Sequence, residues 1–119
     1  MSVTLIPNVP LDQREDVMAG RTIIDADPRG WSGIALSEWE LNAASWTDRH
    51  PHDEVNYVLE GELHVESDGE TVVAGPGDTV WVRAGSVGTY TAPVHARMLA
   101  IYGPNPDGAE SDSFDYREL

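Results

Sequence analysis

Residues 47–65 read TDRHPHDEVNYVLEGELHV. They place two histidines, His50 and His52, one residue apart, follow them with Glu54, and run into a dense β-type stretch that closes at Gly61. Leu63 and Val65 alternate with His64, so the apolar pair faces a core and the imidazole faces solvent or a partner. Working outward, short runs of the same character recur: RTII, GIALSEWEL, EVNYVLEG, ELHVES, TVVAG, DTVWVRAG, VGTYTA and ARMLAIYG. Strands spaced by about 8–12 residues with turn signals between them indicate an all-β sandwich or barrel. SDGE at 67–70 predicts a tight hairpin, because Asp68 and Gly69 tolerate positive φ. AGPGD at 74–78 predicts a second turn, in which Pro76 fixes φ.

Helical periodicity is scarce. PLDQREDVMAG, with Leu11 and Met18 on one face, predicts one or two helical turns. The acidic segment from Pro104 onward reads as a poorly ordered terminus, with Phe114 and Tyr116 as its anchors onto a neighbouring strand or a partner subunit.

Composition narrows the chemistry. The 119 residues fit one domain. The chain has no cysteine, which removes disulfides, thiolate metal sites and cysteine nucleophiles, and suits a cytoplasmic setting. All seven basic residues are arginine, so lysine Schiff-base chemistry is excluded. A formal charge of −14 argues against nucleic acid and anionic membranes as partners. No apolar run is long enough to span a bilayer, and the first residues lack the pattern of a signal peptide.

The candidate chemistry lies in the opening stretch. Residues two apart on a strand share a face, so His50, His52 and Glu54 are expected to point inward together. Two imidazoles and a carboxylate suit a divalent transition metal: Fe, Mn, Ni or Zn. The plain alternative is a polar loop at a strand entrance. Without a metal, Glu54 inside an apolar barrel is a candidate catalytic acid or base, its pKa raised by desolvation. AGSVG at 84–88 falls short of a nucleophile elbow, because Ala84 stands where glycine is required. Trp31, Trp39, Trp46 and Trp81 are core or interface filler first, with Trp46 and Trp81 placed to line a pocket.

HPHDEVNYVLEGELHV, followed by DGETVVAGPGDTVWVRAGSVGTY, resembles the two motifs of the cupin family. The resemblance covers residues 31–103 and implies a double-sheet jelly-roll barrel with an interior pocket. It makes residues 1–119 one domain, with an N-terminal arm over 1–30 and an acidic tail over 104–119. In the register of the first motif, His50 and Glu54 occupy ligand positions and Asp48 stands where the family has its first histidine. In the second motif the last histidine falls on Gly88, which offers no donor, and the proline on Arg83. The framework is similar to the ethanolamine-utilisation, EutQ-like branch, which also lacks the usual histidine set. Asp48 and His52 are the candidates to complete a metal set with His50 and Glu54; Asn56, Tyr90, Arg83, Trp46 and Trp81 are the expected pocket residues.

Two readings follow. One is a small-molecule-binding cupin, homodimeric, with an incomplete or atypical metal site. The other is a metal-dependent isomerase, decarboxylase or dioxygenase acting on a small acid or sugar. Gly88 favours the first.

Overall fold

A computed structural model describes residues 2–13 and 18–119. Among them are nine strands and no helix: β1 (Asp12–Gln13), β2 (Ala19–Ile24), β3 (Ala35–Arg49), β4 (Glu54–Gly61), β5 (Leu63–Ser67), β6 (Glu70–Ala74), β7 (Thr79–Val82), β8 (Val87–Tyr102) and β9 (Asp112–Glu118). No helix among the described residues is long and apolar enough to cross a membrane. The helical turns expected over PLDQREDVMAG are not seen where that segment is described. Its ends pair as β1 and β2, Asp12 opposite Gly20, and residues 14–17 lie outside the description.

β3 and β8 form an antiparallel spine that serves two sheets. Their halves at Ala35–Asn42 and His95–Tyr102 carry β2 on one side and β4, then β7, on the other. Their halves at Ala44–Arg49 and Val87–Ala92 carry β9 on one side and β5, then β6, on the other. This is the double-sheet jelly roll that the motifs imply. VGTYTA and ARMLAIYG, expected as separate strands, are one continuous strand bent at Pro93-Val94. A proline suits that corner because it has no N–H to place in the ladder.

The corner also preserves the inside of the barrel. Alternation buries Ala35, Trp39 and Leu41 before it and Ala44 and Asp48 after it, a switch from odd to even positions. Ala43, left out of the register with φ at 45°, stands opposite two residues of β8, Pro93 and Val94, so β8 carries the extra residue and β3 changes parity at Ala43. Without that bulge the second half of β3 would present its polar face to the core. Leu41, Val58, Leu63, Tyr90 and Met98 fill the centre, and Ala96 lies across from Leu41. On the outer surface, Glu38 is nearly buried between Arg21 and Arg97, and Arg97 also reaches Glu60 at 2.9 Å.

The turns match their sequence signals. Asp68 and Gly69 take φ of 52° and 80° between β5 and β6. In AGPGD, Asp78 N donates to Gly75 O at 3.0 Å, with Gly77 at φ 91°. Gly61 has a stricter role: a Cβ there would sit 1.9 Å from the His95 carbonyl oxygen. Only glycine lets the end of β4 pass that backbone.

The C-terminal segment is a correction. Rather than a poorly ordered tail, residues 112–118 form β9 along the free edge of β3, with Trp46 opposite Tyr116. The alternating pattern SFDYRE suits an edge strand, and β3 supplies the unpaired backbone groups that it satisfies. Arg49 clamps its start through two bonds to Asp112, at 2.8 and 2.6 Å. Phe114 stacks on Trp46 with ring centroids 5.8 Å apart.

Candidate functional site

Asp48 lies at the end of β3, Glu54 opens β4, and His50 hangs from the short loop between them. The three side chains meet at the mouth of the barrel, where they are the one group of three or more metal-type donors among the described residues. His50 Nε2 lies 2.7 Å from Glu54 Oε1 and 3.0 Å from Asp48 Oδ2. The expectation that His50, His52 and Glu54 share a strand face fails, because the strand breaks between residues 49 and 54. Asp48 takes the third place. His52 instead lies flat against His50, 4.7 Å between centroids and 16° apart in plane, with Nδ1 on the Asp53 carbonyl oxygen at 2.9 Å.

Each of the three is held by a residue of its own. Trp46 Nε1 donates to Asp48 Oδ2 at 2.9 Å. Asn56 Nδ2 donates to Glu54 Oε2 at 2.7 Å, and Asn56 in turn accepts from Trp39 Nε1 at 2.8 Å. Ser111 Oγ, just before β9, is hydrogen-bonded to His50 Nδ1. With Nδ1 so engaged, Nε2 is the ring nitrogen turned toward the carboxylates, the usual arrangement of a ligating histidine.

The set passes a physical test for a metal. Glu54 Oε1 is buried, its contact with His50 Nε2 at 2.7 Å is an ion pair off the N–H direction, and it makes no well-aligned hydrogen bond among the described residues. Ligand atoms bound at about 2.1 Å in octahedral geometry sit about 3.0 Å apart, so the observed spacings match polyhedron edges. One imidazole with two carboxylates suits a hard or borderline divalent ion. The buried Tyr90 hydroxyl lies beside the Glu54 carboxylate and likewise makes no well-aligned hydrogen bond among the described residues.

The electrostatics of the metal-free protein are consistent with a site built around positive charge. Burial alone pushes the His50 pKa down, but the adjoining Asp48 and Glu54 carboxylates outweigh it and raise it to about 10. Burial, helped by the charge on His50, lowers that of His52. Burial first and the Glu54 charge second raise both Tyr90 and Tyr102, keeping them neutral phenols.

Outside the trio opens a cavity of about 530 Å³, within the range of small-molecule sites. Trp31, His50, His52, Tyr102 and Phe114 make its aromatic wall, and Asp27, Asn105 and Glu110 lie on its rim. A second space of about 300 Å³, bordered by Trp39, Trp46, Asp48 and Glu54, adjoins it across His50, Tyr102 and Phe114.

Of the expected pocket residues, Asn56 and Tyr90 are fully buried inside the barrel and Trp46 borders the inner space. Trp81 and Arg83 are placed elsewhere. Trp81 is 55% exposed on the outer face of β7, and the Arg83 guanidinium lies over its ring at 3.7 Å. Inward positions of β7 are Val80 and Val82, so strand parity puts Trp81 outside. Ser111, Trp39 and Tyr102 were not singled out for the site. No sequence signal ties Ser111 to His50, 61 positions away, and Phe114 and Tyr116 marked the tail only as able to anchor on a neighbouring strand or a partner subunit.

The fold and site define a cupin. The cupin-domain family model matches residues 36–102, and the chain belongs to that family. Within it the chain falls in the EutQ-like branch. It is 34% identical over 94 residues to the acetate kinase EutQ of Salmonella typhimurium, covering 78% of this chain and 40% of that protein. It therefore spans well under half of that relative. The solved structure of the Salmonella typhimurium ethanolamine-utilisation protein aligns with a TM-score of 0.59 and 32% identity, over 73% of this chain and 69% of that one. KdgF from Halomonas aligns with a TM-score of 0.71 over 89% of this chain and 97% of its own, at 18% identity, a likeness of fold alone.

Proposed function

We propose that the chain is a small-molecule-binding cupin whose barrel mouth carries one divalent transition metal on Asp48, His50 and Glu54. The observation that carries this reading is the convergence of Asp48, His50 and Glu54, with the buried Glu54 Oε1 and Asp48 Oδ2 at ligand-to-ligand distance from His50 Nε2. A bound ion would supply Lewis-acid polarisation of a ligand oxygen at the cavity's inner end. The chain's own groups do the rest. Trp31, Tyr102 and Phe114 pack a small ligand and exclude water, and neutral His52 offers Nε2 to a ligand polar group.

The kinase activity in the Salmonella relative's name belongs to a chain of which this one spans 40%. Among the described residues the cavity lining supplies neither lysine nor arginine to hold phosphoryl oxygens, which speaks against phosphoryl transfer at this cavity. The same trio also supports a second reading, a metal-dependent isomerase, decarboxylase or dioxygenase type of enzyme acting on a small acid or sugar, with Glu54 as a catalytic residue.

Elemental mass spectrometry of the untagged protein, beside His50→Ala and Glu54→Ala, tests the metal. Near-stoichiometric Fe, Mn, Ni or Zn that both variants lose supports the site. Under about a tenth of an equivalent after reconstitution with each metal rejects it. The cavity would then be a metal-free metabolite site.

A cytoplasmic homodimer is the assembly favoured here. Cysteine-free composition supports the setting. For the pairing, the free edges of β6 and β7 lie beside exposed Val72, Val73 and Trp81, and a second copy would cover them. Light scattering on Val73→Glu and Trp81→Glu variants checks this: wild-type dimers that become monomers support it, and a wild-type monomer rejects it.

A further inference from the structure

Gly88 removes the side chain that would close the metal set from the far side of the barrel, yet the place is not vacant. Gly88 lies directly across from Asp48 in the β3–β8 ladder, and Tyr90 lies across from Trp46. Cross-strand partners share a face, so positions 88 and 90 both look inward onto the trio. A Cβ built on Gly88 would stand 3.2 Å from the Tyr90 hydroxyl and 3.2 Å from Cε1 of its ring. The Tyr90 side chain has thus leaned along β8 into the volume that a residue at 88 would fill. Trp39 holds the ring edge-on, 5.6 Å between centroids at 83°. Tyr90 is fully buried, and its hydroxyl, within reach of the Glu54 carboxylate, makes no well-aligned hydrogen bond among the described residues.

We infer that Tyr90 replaces the missing donor: its phenol oxygen is the fourth protein ligand, completing an Asp48, His50, Glu54 and Tyr90 set for iron. This rests on the metal-bearing reading above and narrows its ion to iron, taken in the trivalent state that a phenolate favours rather than as a divalent ion. Three oxygens and one imidazole form a harder set than several histidines would, and a phenolate is a strong donor to iron(III). On ligation the phenol loses its proton to solvent and the Fe–O bond forms, with no change of oxidation state. Glycine at 88 suits the site, because a Cβ there would press on the phenol at 3.2 Å and a longer side chain would displace it from the trio.

The test is optical. The protein is loaded with iron(III), and the visible phenolate-to-iron charge-transfer absorption is recorded for wild type, Tyr90→Phe and Tyr102→Phe, with iron content measured on the same samples. Tyr90→Phe keeps the ring contact with Trp39, and a thermal melt verifies its folding. Tyr102→Phe is the control, a buried phenol whose hydroxyl pairs with Ser37 at 3.1 Å. The expected result is a band in wild type and Tyr102→Phe that is absent in Tyr90→Phe, with iron affinity about tenfold or more lower in that variant. Iron bound without the band, a band unchanged in Tyr90→Phe, or one lost equally in Tyr102→Phe overturns the assignment to Tyr90 and leaves the metal on the trio. Retention of zinc or manganese but not iron overturns it likewise. A protein that retains no metal removes the parent reading as well. Gly88→Ala gives a graded check: its methyl displaces the hydroxyl and shifts the band without removing a donor.

Discussion

Asn56 donates to Glu54 across 2.7 Å, both residues inside the barrel and two apart on β4. The bond settles which oxygen of Glu54 is left for other work, since Oε2 is committed and Oε1 is not. Asn56 is itself tied to Trp39. Replacing it with leucine leaves the Trp39 indole N–H without its acceptor and Glu54 without its donor. Such losses cost about 1–3 kcal/mol for each buried group. Urea denaturation is expected to show an Asn56→Leu midpoint well below wild type, with metal retention falling in parallel.

Stability of the metal-free protein is expected to fall in alkali. The His50 pKa is raised from 6.5 to about 10 in the folded state. A raised folded pKa contributes stability that is fully present below about pH 6.5 and is lost as pH climbs through about 10. Urea midpoints measured in chelator from pH 6 to 10 should therefore decline more steeply for wild type than for His50→Gln. Metal affinity runs the other way, because the ion must displace that proton and binds more tightly as pH rises.

Ser111 is hydrogen-bonded to His50 and to neither Asp48 nor Glu54. Ser111→Ala is expected to weaken metal binding roughly 10–100-fold while leaving the melting temperature nearly unchanged. Arg49→Met, which breaks the exposed clamp on Asp112, should cost under about 1 kcal/mol. Competition with a chelator of known affinity, beside thermal melts of both variants, separates the two effects.

Two glycines make a matched pair. Gly61→Ala forces a methyl into the His95 carbonyl at a φ of 81° and is expected to cost well over about 1 kcal/mol. Gly33 has open space around its missing Cβ, so Gly33→Ala should stay within about 0.5 kcal/mol of wild type. Equal melting temperatures for the two would contradict the packing described for the end of β4.

Much of this molecule is legible in its sequence, for local reasons. Strand period, the Asp68-Gly69 turn and the E-x6-G spacing are short-range signals, and they fixed both the all-β class and the motif register. The same register keeps His50 and Glu54 at ligand positions and offers Asp48 as an oxygen substitute for the first histidine. The strand-face argument for His52 misled because nothing in HPHD marks the break between β3 and β4. Pro51 was the available hint, since it cannot donate to a ladder. The fate of Trp81 turned on parity within a four-residue strand, where one step reverses the face. Ser111 was illegible for a deeper reason: its role exists only once β9 has docked on β3. The filling of the Gly88 position by Tyr90 is a fact of packing, and the sequence shows only an absent side chain.

The pairing of β3 with β8 has a kinetic consequence. Asp48 faces Gly88 only after the intervening chain, which includes β4 to β7, has been drawn into a closed loop. Loop-closure entropy must be met before that contact returns any free energy, and folds dominated by such remote pairings cross their barriers slowly. Refolding is therefore expected over milliseconds to seconds, with the spine zipping late. A half-folded chain has no preassembled pocket to offer a ligand. Ligand affinity and native structure should accordingly appear together, in one phase, when refolding is followed by both probes.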